Sequence, residues 1–179
     1  MFSSKLSKRR INNFKSNRRA FWSTIIFFVL FLLSLFAEFI ANDRPILIRY
    51  NHQFFTPIFN YYPEKTFGGD FQTEAIYRDI ELQCLIISGG LSECWDTPKL
   101  IIEDAQDGII NNQEINKGWI IWPLIPYSYD TINNLNTAAP SPPDSNHWLG
   151  TDDTSRDVFA RIIYGFRLSV FFAIVVTLF

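Results

Sequence analysis

From Phe21 to Ala41 the chain reads FWSTIIFFVLFLLSLFAEFIA, 21 residues in which Glu38 is the one charge. As a helix this stretch is about 31 Å long, the thickness of a bilayer's hydrocarbon core. A helix in a soluble fold would show a polar stripe toward water, and none interrupts this run. A membrane span over residues 20–41 is therefore expected, and it divides the rest of the chain between two sides. A signal peptide also has a basic start and an apolar middle, but its core is shorter and ends in small residues. Cleavage after Ala41 would leave Phe39 at the −3 position, so an uncleaved anchor is the expectation.

Whole-chain figures conceal this division, since the formal net charge is only −2. Residues 1–37 carry Lys5, Lys8, Arg9, Arg10, Lys15, Arg18 and Arg19 and no acid, a charge of +7. Residues 42–153 carry six bases (Arg44, Arg49, Lys65, Arg78, Lys99 and Lys117) against sixteen acids, a charge of −10. Bases collect on the cytoplasmic side of a span, which places residues 1–19 in the cytoplasm and the acidic body outside. Trp22 suits the cytoplasmic interface. The arm KLSKRRINNFKSNRR has charge enough for nucleic-acid phosphates, but beside a span it reads as a topology signal in contact with anionic headgroups, and no nucleic-acid partner is expected. Glu38 lies close to Asn42 and Asp43 and can reach the outer interface, so it needs no proton-relay role.

The body shows short β-type runs at Ile46–Tyr50, Leu85–Ile87 and Trp119–Trp122, and a short helix is expected near Glu74–Cys84. Pro123, Pro126, Asn133, Asn134 and Asn136 punctuate its second half. The segment APSPPDSN, Ala139–Asn146, favours an extended, semi-rigid connector. Cys84 and Cys94 are the only cysteines. In an oxidising compartment they could close a short disulfide loop around the turn at Gly89 and Gly90, or they could stay as buried thiols.

Motifs for catalysis are missing. Glu103, Asp104, Asp107 and Gly108 lack the spacing of a calcium loop, and His52 and His147 give no zinc spacing with the cysteines. No phosphate-binding loop, nucleophile elbow or zinc-protease helix motif occurs, so neither a cofactor nor an enzymatic activity is expected.

The last segment, HWLGTDDTSRDVFARIIYGFRLSVFFAIVVTLF, is more informative. Thr151–Thr154 offer N-caps, and Thr154 with Asp157 approximates a capping box, which predicts a helix from near Ser155. Val158, Phe159, Ile162, Ile163 and Phe166 repeat at helical spacing, while Arg156, Asp157, Arg161 and Arg167 hold the other face. Asp157 and Arg161 are spaced to pair at i, i+4. This helix is expected to lie at the bilayer interface and bend at Gly165 into the uncharged run Leu168–Phe179, about 18 Å of helix. On that reading, only the start of a second span is present.

These residues resemble the segment before the second membrane helix in one permease subunit of bacterial ABC-type dipeptide and oligopeptide importers. Its pattern is H-x-L-G-T-D, then G-R-D-V, R, Y-G and R-x-S. Leu149, Gly150, Thr151, Asp152, Arg156, Asp157, Val158, Arg161, Tyr164, Gly165, Arg167 and Ser169 match it, and Ser155 replaces the usual Gly. The stretches NRRAFWS, AEFIANDRPILIRY, FGGDF, GWIIWPLIPYS and PSPPDSNHWLGTD are similar, in order, to the microcin C-type branch, with Cys84–Glu114 as an extra insertion.

The resemblance implies a membrane α-helical fold in a bacterial inner membrane. Its parts are a basic cytoplasmic N-terminus (1–19), a first transmembrane helix (20–41), a mixed, irregular periplasmic region with short strands (42–147), the LGTD motif with an amphipathic interfacial helix (148–167) and a truncated start of a second transmembrane helix (168–179). It implies a second permease subunit, two ATP-binding subunits and a periplasmic peptide-binding protein as partners beside the lipid bilayer, with ATP hydrolysis on the separate subunits. A truncated or split product lacking the transport core is expected, and no residue is assigned to substrate. The alternative is a bitopic or hairpin inner-membrane protein whose external body is an interaction module.

Overall fold

A computed structural model describes residues 5–105, 109–110, 113–114, 116–133 and 138–179. Asp107, Gly108, Asn134 and Asn136 of the expectations above lie outside these. The helices are α1 (Lys5–Ser16), α2 (Arg18–Leu35), α3 (Ala37–Ile40), α4 (Ile80–Ser88), α5 (Pro98–Asp104) and α6 (Val158–Leu178). The strands are β1 (Leu47–Tyr50), β2 (Gln53–Phe55), β3 (Ile109–Ile110), β4 (Gln113–Glu114) and β5 (Trp119–Ile121), with 3-10 turns at Glu64–Phe67 and Ser92–Trp95. The chain divides into one unit of the residues up to Ala37 with Ile162–Phe179, and a second of Glu38–Arg161.

In the first unit, α1 ends one residue before α2 begins. Asn17 between them is extended (φ −82°, ψ 90°), and its Oδ1 accepts the Ala20 N–H at 3.3 Å, capping α2. The apolar helix thus starts at Arg18 and stops at Leu35, where Phe36 leaves helical geometry; Ala37–Ile40 forms a separate turn instead of completing the span expected to reach Ala41. Ile26, Phe27, Phe28, Val29, Leu30, Leu32 and Leu33 are all exposed. The hydroxyls of Ser23 and Thr24 both donate to the Ala20 carbonyl (3.0 and 2.9 Å), and Ser34 donates to that of Phe31 (2.7 Å). Internal satisfaction of every polar group is what a helix in hydrocarbon requires. Helices α2 and α6 are both long and apolar enough to cross a membrane.

The interfacial helix and the second span were expected as two pieces bent at Gly165. The structure has one unbroken helix, α6, of 21 residues. Nothing lies within 4 Å of where a Gly165 side chain would begin, so no packing contact forces a bend there. At about 1.5 Å per residue α6 is about 31 Å long, a full bilayer core.

The second unit is built on a three-stranded antiparallel sheet of order β2-β1-β5. Strands β1 and β2 form a hairpin through Asn51 and His52, both at positive φ (46° and 62°), the geometry that tight hairpin turns demand. Ile48 and Tyr50 of β1 face inward, onto Phe67, Tyr77, Leu82, Leu85, Ile86 and Ile101. The Gly118 N–H donates to the Ile87 carbonyl at 3.0 Å, and a side chain on Gly118 would sit 2.0 Å from the Ile86 oxygen. Only glycine permits that approach of β5's lead-in to α4.

Two sequence expectations are corrected here. Leu85–Ile87 is not a strand but part of α4, and the helix expected near Glu74–Cys84 runs from Ile80 to Ser88. Leu82, Cys84, Leu85, Ile86 and Ser88 are all buried, so α4 lacks the polar face that would have marked its period. Cys84 and Cys94 are bonded to each other inside this core.

Candidate functional site: the knot that opens the second apolar helix

Several of the residues singled out before the second span converge on one knot, centred on the buried Thr151, His147 and Asp157. Gly150 turns the chain at φ +74°; its N–H donates to the His147 carbonyl (2.9 Å), and its carbonyl accepts the Val158 N–H (3.2 Å). A side chain there would lie 2.3 Å from the Ser141 oxygen. Thr151 closes the other side: its N–H donates to the Ser141 carbonyl, its Oγ1 accepts the Ser141 N–H (both 3.1 Å), and the two hydroxyls lie 3.0 Å apart. The proline-rich connector is thereby fastened to the LGTD turn.

Asp152 is the hub of the next turn. Its Oδ1 accepts the N–H groups of Thr154 and Arg156 and the Thr154 hydroxyl, each at 2.9 Å. Its Oδ2 accepts Arg156 Nε at 3.1 Å and Arg161 Nη1. Burial opposes ionisation of this carboxyl, but the donors around it outweigh burial and hold its pKa well below the usual carboxylate range. Arg161 therefore pairs with Asp152 and not with Asp157, as the i, i+4 spacing had suggested.

Asp157 is committed elsewhere. Its side chain is 1% exposed; Oδ1 accepts the Ala160 N–H at 2.8 Å, and Oδ2 lies 2.9 Å from Nδ1 of the equally buried His147. Asp157 is thus the N-cap of α6, three residues later than the Thr154 cap expected from sequence. Thr154 is held by Asp152, and Ser155 adopts φ +62°, so the chain cannot be helical there.

Further residues, which sequence reasoning left off the site, complete the knot. The His147 ring stacks on Tyr127 (centroids 4.6 Å apart, 27° between planes), and the Arg78 guanidinium covers the Tyr127 ring at 4.5 Å. Burial raises the Tyr127 pKa, against the lowering effect of Arg78. Arg78 donates to Asn133 Oδ1 at 2.7 Å, and Asn133 donates through its N–H and Nδ2 to the Ser155 carbonyl, both at 3.1 Å. Exposed Asp144 accepts the His147 N–H at 2.6 Å, which lowers its pKa. The H-x-L-G-T-D pattern contained His147, but Tyr127, Asn133 and Arg78 lie too far away in sequence for any spacing rule to find them.

Leu149 is exposed beside this knot, and Trp148 meets Phe159 edge-on at 5.6 Å. Tyr164, Gly165 and Arg167 are not brought to it. They lie farther along α6, where the Arg167 guanidinium sits 5.0 Å over the Tyr164 ring. Among the described residues no group of three or more His, Cys, Asp or Glu is placed to hold a metal. A cavity of about 130 Å³ lined by Glu64, Phe71, Ile76, Asp79, Glu81, Leu82 and Trp95 is smaller than the roughly 300 Å³ at which ligand pockets begin. The knot's chemistry is that of a fastener, in which Asp152, Asp157, Thr151 and Asn133 bond backbone groups and side chains around the same turn.

The chain is 38% identical to the peptidoglycan transport system permease protein YejE of Agrobacterium fabrum, over 96% of this chain and 44% of that protein. It is 37% identical to the inner membrane ABC transporter permease protein YejE of Escherichia coli, over 98% of this chain and 43% of that one. A shorter match, 48% identical over 48 residues, joins it to the oligopeptide transport system permease protein OppC of Bacillus subtilis, covering 27% of this chain and 15% of that protein. The chain thus spans less than half the length of the curated relatives it matches along its whole extent. No family model and no solved structure matches it.

Proposed function

The chain belongs with the permease subunits of ABC-type peptide transport systems, and from that footing we propose that it forms the membrane-entry part of such a subunit in a bacterial inner membrane. In this reading α2 and α6 are spans flanking a periplasmic body, with residues 1–19 in the cytoplasm. A second permease completes the pathway, two ATP-binding subunits drive it from the cytoplasm, and a periplasmic binding protein delivers the peptide. ATP hydrolysis rests with those separate subunits. The Cys84–Cys94 pair suits an exported body, where a disulfide persists.

The observation that supports this reading best is the kinship itself, which runs through 96% and 98% of the chain and so takes in both apolar helices and the body between them. The knot gives the chain a mechanical role. By capping α6 with Asp157 and holding Asp157 through His147, Tyr127 and Arg78, the body grips the first turn of a span. In such a subunit the knot would fix where the second span begins. The test is uptake of a mixture of short labelled peptides by cells lacking the gene that carries this sequence, together with purification of its product from the membrane. Lost uptake, and ATP-binding subunits that copurify, are the expected results. Unchanged uptake with no copurifying ATPase would overturn the reading and favour a membrane-anchored interaction module.

A further inference from the structure

Helix α1 has no part in the fastening of α6. At roughly 100° per residue, Ile11 and Phe14 share one stripe, bordered by Lys8 and Lys15 along one edge and by Arg10 along the other. Both apolar side chains are exposed, Ile11 at 53% and Phe14 at 42%. The Phe14 ring meets Phe21 of α2 edge-on at 6.2 Å, so the stripe joins the apolar surface of the following helix. Asn17 breaks the two helices apart just before Arg18 and Arg19. Along residues 5–37 the bases have no acid among them until the apolar run ends.

We propose that α1 is an interfacial helix that lies in the surface of an anionic phospholipid leaflet, with Ile11 and Phe14 seated below the headgroups and Lys8, Arg10 and Lys15 among the phosphates. Three observations select a lipid surface over other polyanions. Long basic side chains on both edges of an apolar stripe can bury their stems and lift their charges to the phosphates. Bases alone would serve a nucleic acid, which has no use for exposed Ile11 and Phe14. The single-residue joint at Asn17 also ties α1 to the end of a membrane helix, so a headgroup surface is always within reach. Two apolar side chains would anchor a free peptide weakly, but the tether makes insertion intramolecular, and a weak intrinsic affinity then suffices. The inference rests on α2 lying in the membrane and not on peptide transport.

The test uses the whole chain, with Cys84 and Cys94 left bonded. It is reconstituted in vesicles of phosphatidylcholine alone or mixed with phosphatidylglycerol and carries one spin label through Ile11→Cys, Asn12→Cys, Phe14→Cys or Leu30→Cys. Collision rates with oxygen and with a water-soluble nickel chelate report depth. With phosphatidylglycerol, labels at 11 and 14 should favour oxygen, the label at 12 should favour nickel, and adding Lys8→Glu with Lys15→Glu should raise nickel collisions at 11 and 14 severalfold. Free nickel access at 11 and 14 with the Leu30→Cys label still in the bilayer would overturn the proposal and leave the face to a protein or nucleic acid. Equal immersion in phosphatidylcholine alone would overturn the requirement for anionic lipid. A water-exposed Leu30→Cys label would refute the span, and this proposal with it.

Discussion

Ser155 sits at φ +62°, in the left-handed region where a β-carbon crowds the backbone and glycine alone is at ease. The importer pattern that this segment resembles has Gly at this place, so the departure from that pattern falls where the backbone disfavours it. Ser155→Gly should stabilise the chain by about 1 kcal/mol, raising its thermal midpoint in detergent; a lowered midpoint would mean that the hydroxyl compensates for the strain. Gly150 is the converse case: Gly150→Ala places a methyl 2.3 Å from the Ser141 oxygen at φ +74° and should cost more than about 2 kcal/mol in the same measurement. The hydrogen bonds to Asp152 make its folded pKa lower than its unfolded one. Its contribution is therefore complete above the unfolded value of about 3.9 and is lost as pH falls from there through the folded value. Wild type should exceed Asp152→Asn in thermal midpoint at neutral pH, and the gap should close as pH drops below about 4; a gap independent of pH would show that the carboxylate's charge contributes nothing.

The elements differ in how plainly the sequence announces them, and the reason is physical in each case. Helix α2 was legible because every side of it is apolar, although its bounds moved inward at Asn17 and Phe36, where single residues break the geometry. Strands β1 and β5 lie within runs read as β-type, while α4 was misread because burial on nearly all faces erased its period. The start of α6 shows the limit of local rules. Thr154 and Asp157 have capping-box spacing, yet Asp152 captures Thr154 and Arg161, and a histidine ten residues upstream holds Asp157. Which acceptor a donor finds is settled by tertiary contacts, and those bring in Ser141 of the connector and Asn133, Tyr127 and Arg78 from well upstream. The unbroken α6 has its own test. Because nothing crowds position 165, Gly165→Ala should stabilise the helix by about 0.5–1 kcal/mol, whereas a bend that needs glycine would make the substitution destabilising. The short loop closed by Cys84 and Cys94 should contribute about 3 kcal/mol, seen as a lower thermal midpoint after reduction of the unfolded chain and refolding.

At the scale of the whole molecule, the direction of α6 decides whether the proposed topology is sound. In the proposed topology, the bases before α2 and the acids after it place the N-terminus of α2 in the cytoplasm. A body between two spans stays on one side only if the spans run in opposite directions, so α6 must descend and bring Thr177 toward the cytoplasm. The edge-on ring pairs Phe27–Phe166 and Phe31–Phe171, each 5.6 Å between centroids, climb both helices in the same sense. That sense is incompatible with two spans flanking an exported body, and the two arrangements put Thr177 on opposite faces of the membrane. Single cysteines at Asn12, Asp130 and Thr177, probed with a membrane-impermeant maleimide in spheroplasts while Cys84 and Cys94 stay bonded, separate them. Asp130→Cys should react in intact spheroplasts, and Asn12→Cys and Thr177→Cys only after permeabilisation. Reaction of Thr177→Cys from outside would mean that α6 ascends beside α2, and residues 42–157 could not then form a periplasmic body between two spans.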